Sequence, residues 1–285
     1  MKDLDREFGR DRIIDTPVSE NATTGAAMGA ALAGMRPIVI HPRMDFMLLA
    51  VDQIINQAAN WYYMTGGRVN VPLTIRAIVN RGGEQAAQHS QSVHAWFMHV
   101  PGLKVVMPST PYDAKGLLIA SVRDENPVLY IDDRWLYDDV GEVPEDPYEV
   151  PIGKAIVRRA GCDATVVATS FMAREAMTAA AELEKKGIDL EVIDLRSLKP
   201  FDKHLILTSL QKTGRLLAAD TGWLTCGVGA EIAALAAGEG YAYLKAPVVR
   251  ISLPDVPAPM SKPLEAAYYP DSGDIVLAVE KLLSL

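Results

Sequence analysis

The stretch DTPVSENATTGAAMGAALAGMRP, residues 15–37, sets a carboxylate, Glu20, ahead of a run of alanines, glycines and threonines. Two readings of Glu20 stand side by side. It is an acid in the first turn of a helix capped by Ser19, where the helix dipole favours negative charge. Alternatively, it is a group that tunes a bound ligand. The helix behind it carries Gly25, Gly29 and Gly34. Glycine lowers helix stability by up to about 1 kcal/mol relative to alanine, so these positions point to close approach by another element or a ligand. A second chemical group is His89, in the polar loop GGEQAAQHSQS. That loop follows a predicted strand, and ligands of open α/β sheets bind at the carboxyl ends of strands. A solvated loop histidine is the competing reading. His94 and His99 lie on the next predicted helix and read as packing or surface residues, while His41 follows a strand and stays undecided. Gly227 and Gly229 precede a helix, but G-x-G-x-x-G is not completed, so they read as a turn and helix start. No phosphate loop, nucleophile elbow or H-E-x-x-H occurs.

The elements that must hold these residues alternate. RPIVIHP reads as a short buried strand. MLLAVDQIINQAANWYYMTGG reads as a helix, with Leu48, Val51, Ile55, Ala58 and Tyr62 on its apolar face and Asp52, Asn56 and Asn60 opposite. VPLTIRAIV, LKVVMP and PVLYID are strands; SVHAWFMHV and TPYDAKGLLIASVRD are helices, the latter started by Thr110-Pro111. The acidic segment DDRWLYDDVGEVPEDPYEVP, with Pro144, Pro147 and Pro151, breaks the pattern and reads as a linker. Alternation then resumes. ATVVATS, LEVIDL, RLLAAD and APVVRIS are strands; MAREAMTAAAELEKKG, GVGAEIAALAAGEG and DIVLAVEKLLSL are helices. The fold class is α/β, with two parallel-sheet domains. Their expected bounds are 1–135 and 154–285, joined by 136–153.

The 285 residues are 49% hydrophobic and 22% charged with mean hydropathy +0.08, a globular composition. A formal net charge of −8 argues against a nucleic-acid partner. No stretch approaches the roughly 18 apolar residues of a membrane helix. The opening MKDLDREFGRDR lacks an apolar core and is no signal peptide. Cys162 and Cys226 read as structural thiols in a reducing cytoplasm, and no histidine pairs with a cysteine at zinc spacing.

Taken in order, DTPVSE, GAAMGAALAGMRPIV, DFMLLAVDQIINQAANWYYMTGG, AAQHSQS, PGLKVVMPSTPYDAKGLL, RDENPVLYID, VIDLRSLKPFD and PDVPAPMSKPLEAAYYP span nearly the whole chain. Together they resemble the β subunit of the thiamine-diphosphate-dependent 2-oxo acid dehydrogenases, the E1 component of pyruvate-dehydrogenase-type complexes. The resemblance implies a pyrimidine-binding domain followed by a transketolase C-terminal-like domain. It implies that Glu20 contacts N1′ of the aminopyrimidine ring and favours its imino tautomer, that Phe46 packs against that ring, and that His89 relays protons during acyl transfer to a lipoyl group. It also implies a potassium ion held by Leu73, Ser121, Val122, Asp124 and Asn126, mostly through carbonyl oxygens. The family of thiamine enzymes grips Mg²⁺ and diphosphate with G-D-G, which this chain lacks. A separate α subunit in an α2β2 tetramer is therefore implied to hold Mg²⁺, leaving this chain inactive alone. A lipoyl-bearing E2 and a small 2-oxo acid complete the implied partners.

The sequence departs from the family in three places. The resemblance implies a further N-terminal helix and strand, with a Gly-Glu-Asp motif, ahead of DTP. HPRMDF places Pro42, Arg43 and Asp45 where pyruvate-type members are less charged. RAIVNRGGEQ lacks the usual Gly-Pro-Asn-Gly. Two alternatives follow. One is a split transketolase-like carboligase or decarboxylase that does not use lipoamide, with Arg43 meeting a phosphate or carboxylate. The other is a non-catalytic partner subunit, against which the presence of both Glu20 and His89 speaks.

Overall fold

The computed structural model describes residues 3–83 and 85–285; Met1 and Lys2 of the charged N-terminal stretch and Glu84 of the His89 loop lie outside them. The strands are β1 (Ile38–His41), β2 (Thr74–Val79), β3 (Lys104–Val106), β4 (Val128–Asp133), β5 (Ile156–Arg159), β6 (Ala164–Ala168), β7 (Leu190–Asp194), β8 (Ser197–Lys199), β9 (Leu216–Trp223) and β10 (Val249–Leu253). The helices are α1 (Leu4–Phe8), α2 (Glu20–Leu32), α3 (Met44–Met47), α4 (Ala59–Met64), α5 (His94–Met98), α6 (Pro111–Arg123), α7 (Ser170–Glu184), α8 (Lys203–Thr213), α9 (Val228–Gly238), α10 (Lys262–Tyr268) and α11 (Ser272–Leu283).

The strands form two five-stranded sheets, ordered β1-β2-β4-β3-β8 and β10-β9-β6-β7-β5. Their interiors are parallel, and β4, β6 and β7 are buried along their whole length. Burial on both faces is why these strands read as continuous apolar runs. The two parallel-sheet domains each carry an antiparallel strand at one edge: β8 runs antiparallel to β3 and β5 antiparallel to β7. A parallel sheet commonly accepts an antiparallel strand at its edge. Here β8 comes from the C-terminal half and completes the first sheet. The main core cluster is correspondingly continuous, running from Ile75, Phe97 and Leu129 to Ile193, Leu198 and Ala218.

Local signals explain several termini. The Thr110 hydroxyl accepts from the Asp113 N–H at 3.2 Å, with Pro111 opening α6. Ser19 occupies the cap position of α2 without a side-chain cap hydrogen bond; its carbonyl instead accepts from the Thr23 N–H and hydroxyl. The segment expected as one regular helix from Met47 is a 3₁₀ turn (Leu48–Ala50), a π-helical stretch (Asp52–Ala58) and α4. The wider turn rotates its buried face to Met47, Ala50, Ile54 and Ala58, leaving the expected Leu48, Val51 and Ile55 only half-buried and Tyr62 exposed. Cys162 and Cys226 are free and exposed, so they are not core thiols. Among the described residues no helix is long and apolar enough to cross a membrane.

Candidate functional site

Helix α2 leads through a short turn into β1 and packs back against it, so the N-terminus of α2 lies beside the carboxyl end of β1. Thr24, one turn into α2, makes the joint: its hydroxyl lies 3.2 Å from Nε2 of His41, the last residue of β1. Both are buried. Burial pushes His41 down to about 4, against the opposing pull of the nearby Glu20 carboxylate. His41 is therefore a neutral ring at pH 7, beside the Glu20 carboxylate. The Glu20 carboxylate is half-buried and makes no hydrogen bond to any described residue, which leaves it free to accept one from a ligand. Of the three glycines of this segment, only Gly25 is pressed: a Cβ there would sit 3.2 Å from Gln53 Oε1. Gly29 faces open space, and Gly34 follows the helix at φ +95°.

Five residues past His41, the short helix α3 presents Phe46, which is 38% exposed. Its ring meets His89 edge-to-face, with centroids 5.4 Å apart. His89 ends a single 3₁₀ turn, Ala87–His89, in the loop after β2. Phe46 and His89, given separate roles by the resemblance, are in direct contact. Asp45, next to Phe46 in α3, is buried. Asp45 Oδ1 accepts the Gln91 N–H at 3.0 Å, while Oδ2 is buried without a partner. Burial pushes this carboxyl up, opposed by the Gln91 donor and by nearby His89.

These residues fit the pyrimidine end of thiamine diphosphate. A free carboxylate, an exposed aromatic ring and an imidazole gather at the carboxyl end of a parallel strand. The described residues do not fit the other end: no three His, Cys, Asp or Glu side chains among them converge as a metal site. The residues expected around potassium do include a cluster of oxygens at the end of α6. Val122 O and Asp124 O both accept from Arg36 Nη1, at 3.0 and 2.9 Å, and Asn126 Oδ1 is buried without a partner. Ser121 O accepts from the Asp124 N–H at 3.3 Å, and Leu73 O from the Val128 N–H at 3.0 Å.

Sequence reasoning missed Asn80, Gln85 and Arg134. Arg43 Nη2 donates to Gln85 Oε1 at 3.1 Å, Asn80 Nδ2 donates to the same oxygen at 3.0 Å, and Arg134 Nη1 donates to Asn80 Oδ1 at 3.0 Å. Asn80 and Arg134 directly follow β2 and β4, so the strand-end rule that singled out His89 would have found them.

Residues 1–138 match the transketolase pyrimidine binding domain, and residues 153–275 match the transketolase C-terminal domain. The chain is 47% identical over 282 residues to the acetoin:2,6-dichlorophenolindophenol oxidoreductase subunit beta of Bacillus subtilis, covering 99% of this chain and 82% of that one. It is 45% identical over 289 residues to the mitochondrial pyruvate dehydrogenase E1 component subunit beta of Caenorhabditis elegans, covering 100% and 82%. A solved split-gene transketolase, described as an inactive beta4 tetramer, superposes with a TM-score of 0.82 at 26% identity, covering 100% of this chain and 89% of that one. With both domains in order and full-length likeness to two kinds of β subunit, the chain belongs to the transketolase-like family of E1 β subunits of thiamine-diphosphate-dependent 2-oxo acid dehydrogenases.

Proposed function

We propose that this chain is the β half of an α2β2 enzyme that decarboxylates a 2-oxo acid oxidatively and passes the acyl group to the lipoamide of an E2 partner, in the cytoplasm. Residues 1–135 form the pyrimidine-binding domain and 154–285 the C-terminal domain, joined by 136–153. The observation that carries this reading is the unengaged Glu20 carboxylate at the strand end where Phe46 and His89 touch.

Held by Glu20 and Phe46, thiamine diphosphate would supply a nucleophilic carbon for the 2-oxo group and a sink for the electron pair that decarboxylation leaves. Glu20 accepts a hydrogen bond from the N1′ position of the pyrimidine, and the neutral His41 behind it leaves that acceptor uncancelled. Phe46 covers one face of the ring and excludes water from it. Its edge-on contact fixes His89, which gives and takes the proton at the substrate oxygen. Asp45, beside His89, stabilises the charged imidazole when it forms. Mg²⁺ and the diphosphate would fall to the α subunit, and a potassium ion at Leu73, Ser121, Val122, Asp124 and Asn126 would compete with Arg36 for the Val122 and Asp124 carbonyls.

The test is co-purification of the chain with its α subunit, whose sequence should contain G-D-G, followed by assays of the pair. Glu20→Gln should fold and assemble yet lose turnover and bind thiamine diphosphate more weakly. Equal activity of Glu20→Gln and wild type overturns the assignment. Ketol transfer between sugars without lipoamide reduction would favour the carboligase alternative.

A further inference from the structure

The reaction proposed above gives Arg43 no role. Its position is specific. It immediately precedes α3, three residues before Phe46, and it is half-buried. One of its N–H groups is tied to Gln85, in the same loop as His89, and Gln85 is tied through Asn80 to Arg134. Two guanidinium groups are thereby held along the carboxyl ends of β1, β2 and β4, on the rim that also carries Phe46 and His89.

The chemistry of the tether matters. Arg76, Arg81, Arg158, Arg174 and Arg196 each form an ion pair with an aspartate. Among the described residues, neither Arg43 nor Arg134 has a carboxylate within ion-pairing distance; both are held by neutral amide oxygens. An amide acceptor fixes the plane of a guanidinium without cancelling its charge. In a chain of net charge −8, two arginines tied together beside the site with no ion-pair partner among the described residues form a local cationic rim. Each guanidinium carries five donors in a planar fork matched to carboxylate and phosphate, and one donor of each is used in this tether.

We propose that Arg43, backed by Arg134, is the specificity determinant of this site and receives a second anionic group of the substrate, a carboxylate or phosphate distant from the 2-oxo carbon. The preferred substrate is therefore a dianion longer than pyruvate, not pyruvate itself or a neutral ketol such as acetoin. The inference rests on the proposed placement of the active site.

The experiment uses the assembled complex of this chain with its α subunit. Binding of 2-oxoglutarate, its phosphonate analogue 2-oxo-4-phosphonobutyrate, pyruvate and acetoin is measured calorimetrically without thiamine diphosphate, so nothing turns over. At least one dianion should bind more tightly than pyruvate and acetoin; which one distinguishes carboxylate from phosphate. Arg43→Gln should weaken that dianion by about 10- to 100-fold, the loss of a charge-assisted fork, and leave pyruvate binding unchanged. Arg43→Lys should recover part of the loss, and Arg134→Gln should weaken the dianion less. Assembly of each variant with α checks folding. Equal binding of all four ligands, no binding of either dianion, or an Arg43→Gln effect common to pyruvate and dianion overturns the proposal. Turnover by Glu20→Gln tests the cofactor assignment separately, because anion binding at Arg43 does not require that carboxylate.

Discussion

His94 on α5 and Asp220 on β9 meet across the domain interface, Nε2 to Oδ1 at 2.9 Å, with both side chains buried. Ser92 Oγ lies 3.0 Å from Nδ1 of the same ring. The Thr169 hydroxyl and the Thr221 N–H complete the shell of Asp220 at 2.7 and 2.8 Å. Burial alone would push Asp220 up, but His94 and these donors together hold it below the usual carboxylate range. The pair joins the first domain, just past the His89 loop, to the central strand region of the second.

Removing one partner leaves the other buried and unpaired. His94→Ala should destabilise the chain by about 3–5 kcal/mol, read as a lowered urea midpoint. The double variant His94→Ala/Asp220→Ala should cost less than the sum of the singles. The depressed carboxyl also sets a sign: its contribution is present above the unfolded value of about 3.9 and is lost as pH falls through the lower folded value. Asp220→Asn should therefore flatten stability at the acid end.

His41 acts in a different window. Its folded value of about 4 lies below the 6.5 of the unfolded chain, so between these limits the unfolded state binds the extra proton. Stability should fall as pH drops from about 6.5 toward 4, by up to about 3 kcal/mol. Denaturation curves at pH 7 and 5 check this, and His41→Gln should reduce the difference. An imidazole resonance of His41 titrating near 6.5 in the folded protein would contradict the burial argument.

The alternation of β4, α6, β6, α7 and β7 was legible because a buried parallel strand is an unbroken apolar run and each helix carried its own start or stop signal. Strands β5 and β8 were not, because IVRR and SLK are too short and too polar to show a period. Helix α8 lacks a strong apolar stripe, and α10 sits in a loop-like Pro-containing segment. At the site, the strand-end rule found His89, and the small-residue helix drew attention to Glu20. What sequence could not give was partnership: that His41 would bury against Thr24, that Asp45 would lie beside His89, or that Gln85 would bridge Arg43 to Asn80. Those depend on which loops meet above the sheet, a long-range property that no local pattern encodes.

Gly102 tests the packing of the segment behind the site. It has φ +83°, and a Cβ there would lie 2.0 Å from the Ala59 carbonyl oxygen, a backbone atom that cannot rotate away. Gly102→Ala combines a left-handed strain with a backbone clash and should cost more than about 2 kcal/mol. Thermal unfolding checks it. Gly29→Ala, at a helical position facing open space, should be neutral or stabilising by up to about 1 kcal/mol.

Arg81 locks the loop that carries His89 to the second domain. Its side chain is almost wholly buried, pairs with Asp133, and lies 4.8 Å from the ring centroids of both Trp135 and Phe171. The planar guanidinium fits this slot as an ammonium cannot. Arg81→Lys keeps the charge but loses the stacked plane, and should cost about 1–2 kcal/mol. Arg81→Met leaves Asp133 buried without its ion pair, and should cost about 3–5 kcal/mol. If Arg81 acts only on stability, Arg81→Lys complexes assembled at low temperature should turn over normally. If it also holds the loop in register, and His89 relays protons as proposed, the pH profile of kcat should shift in Arg81→Lys while thiamine diphosphate affinity stays unchanged, since Glu20 and Phe46 stand on elements that Arg81 does not touch.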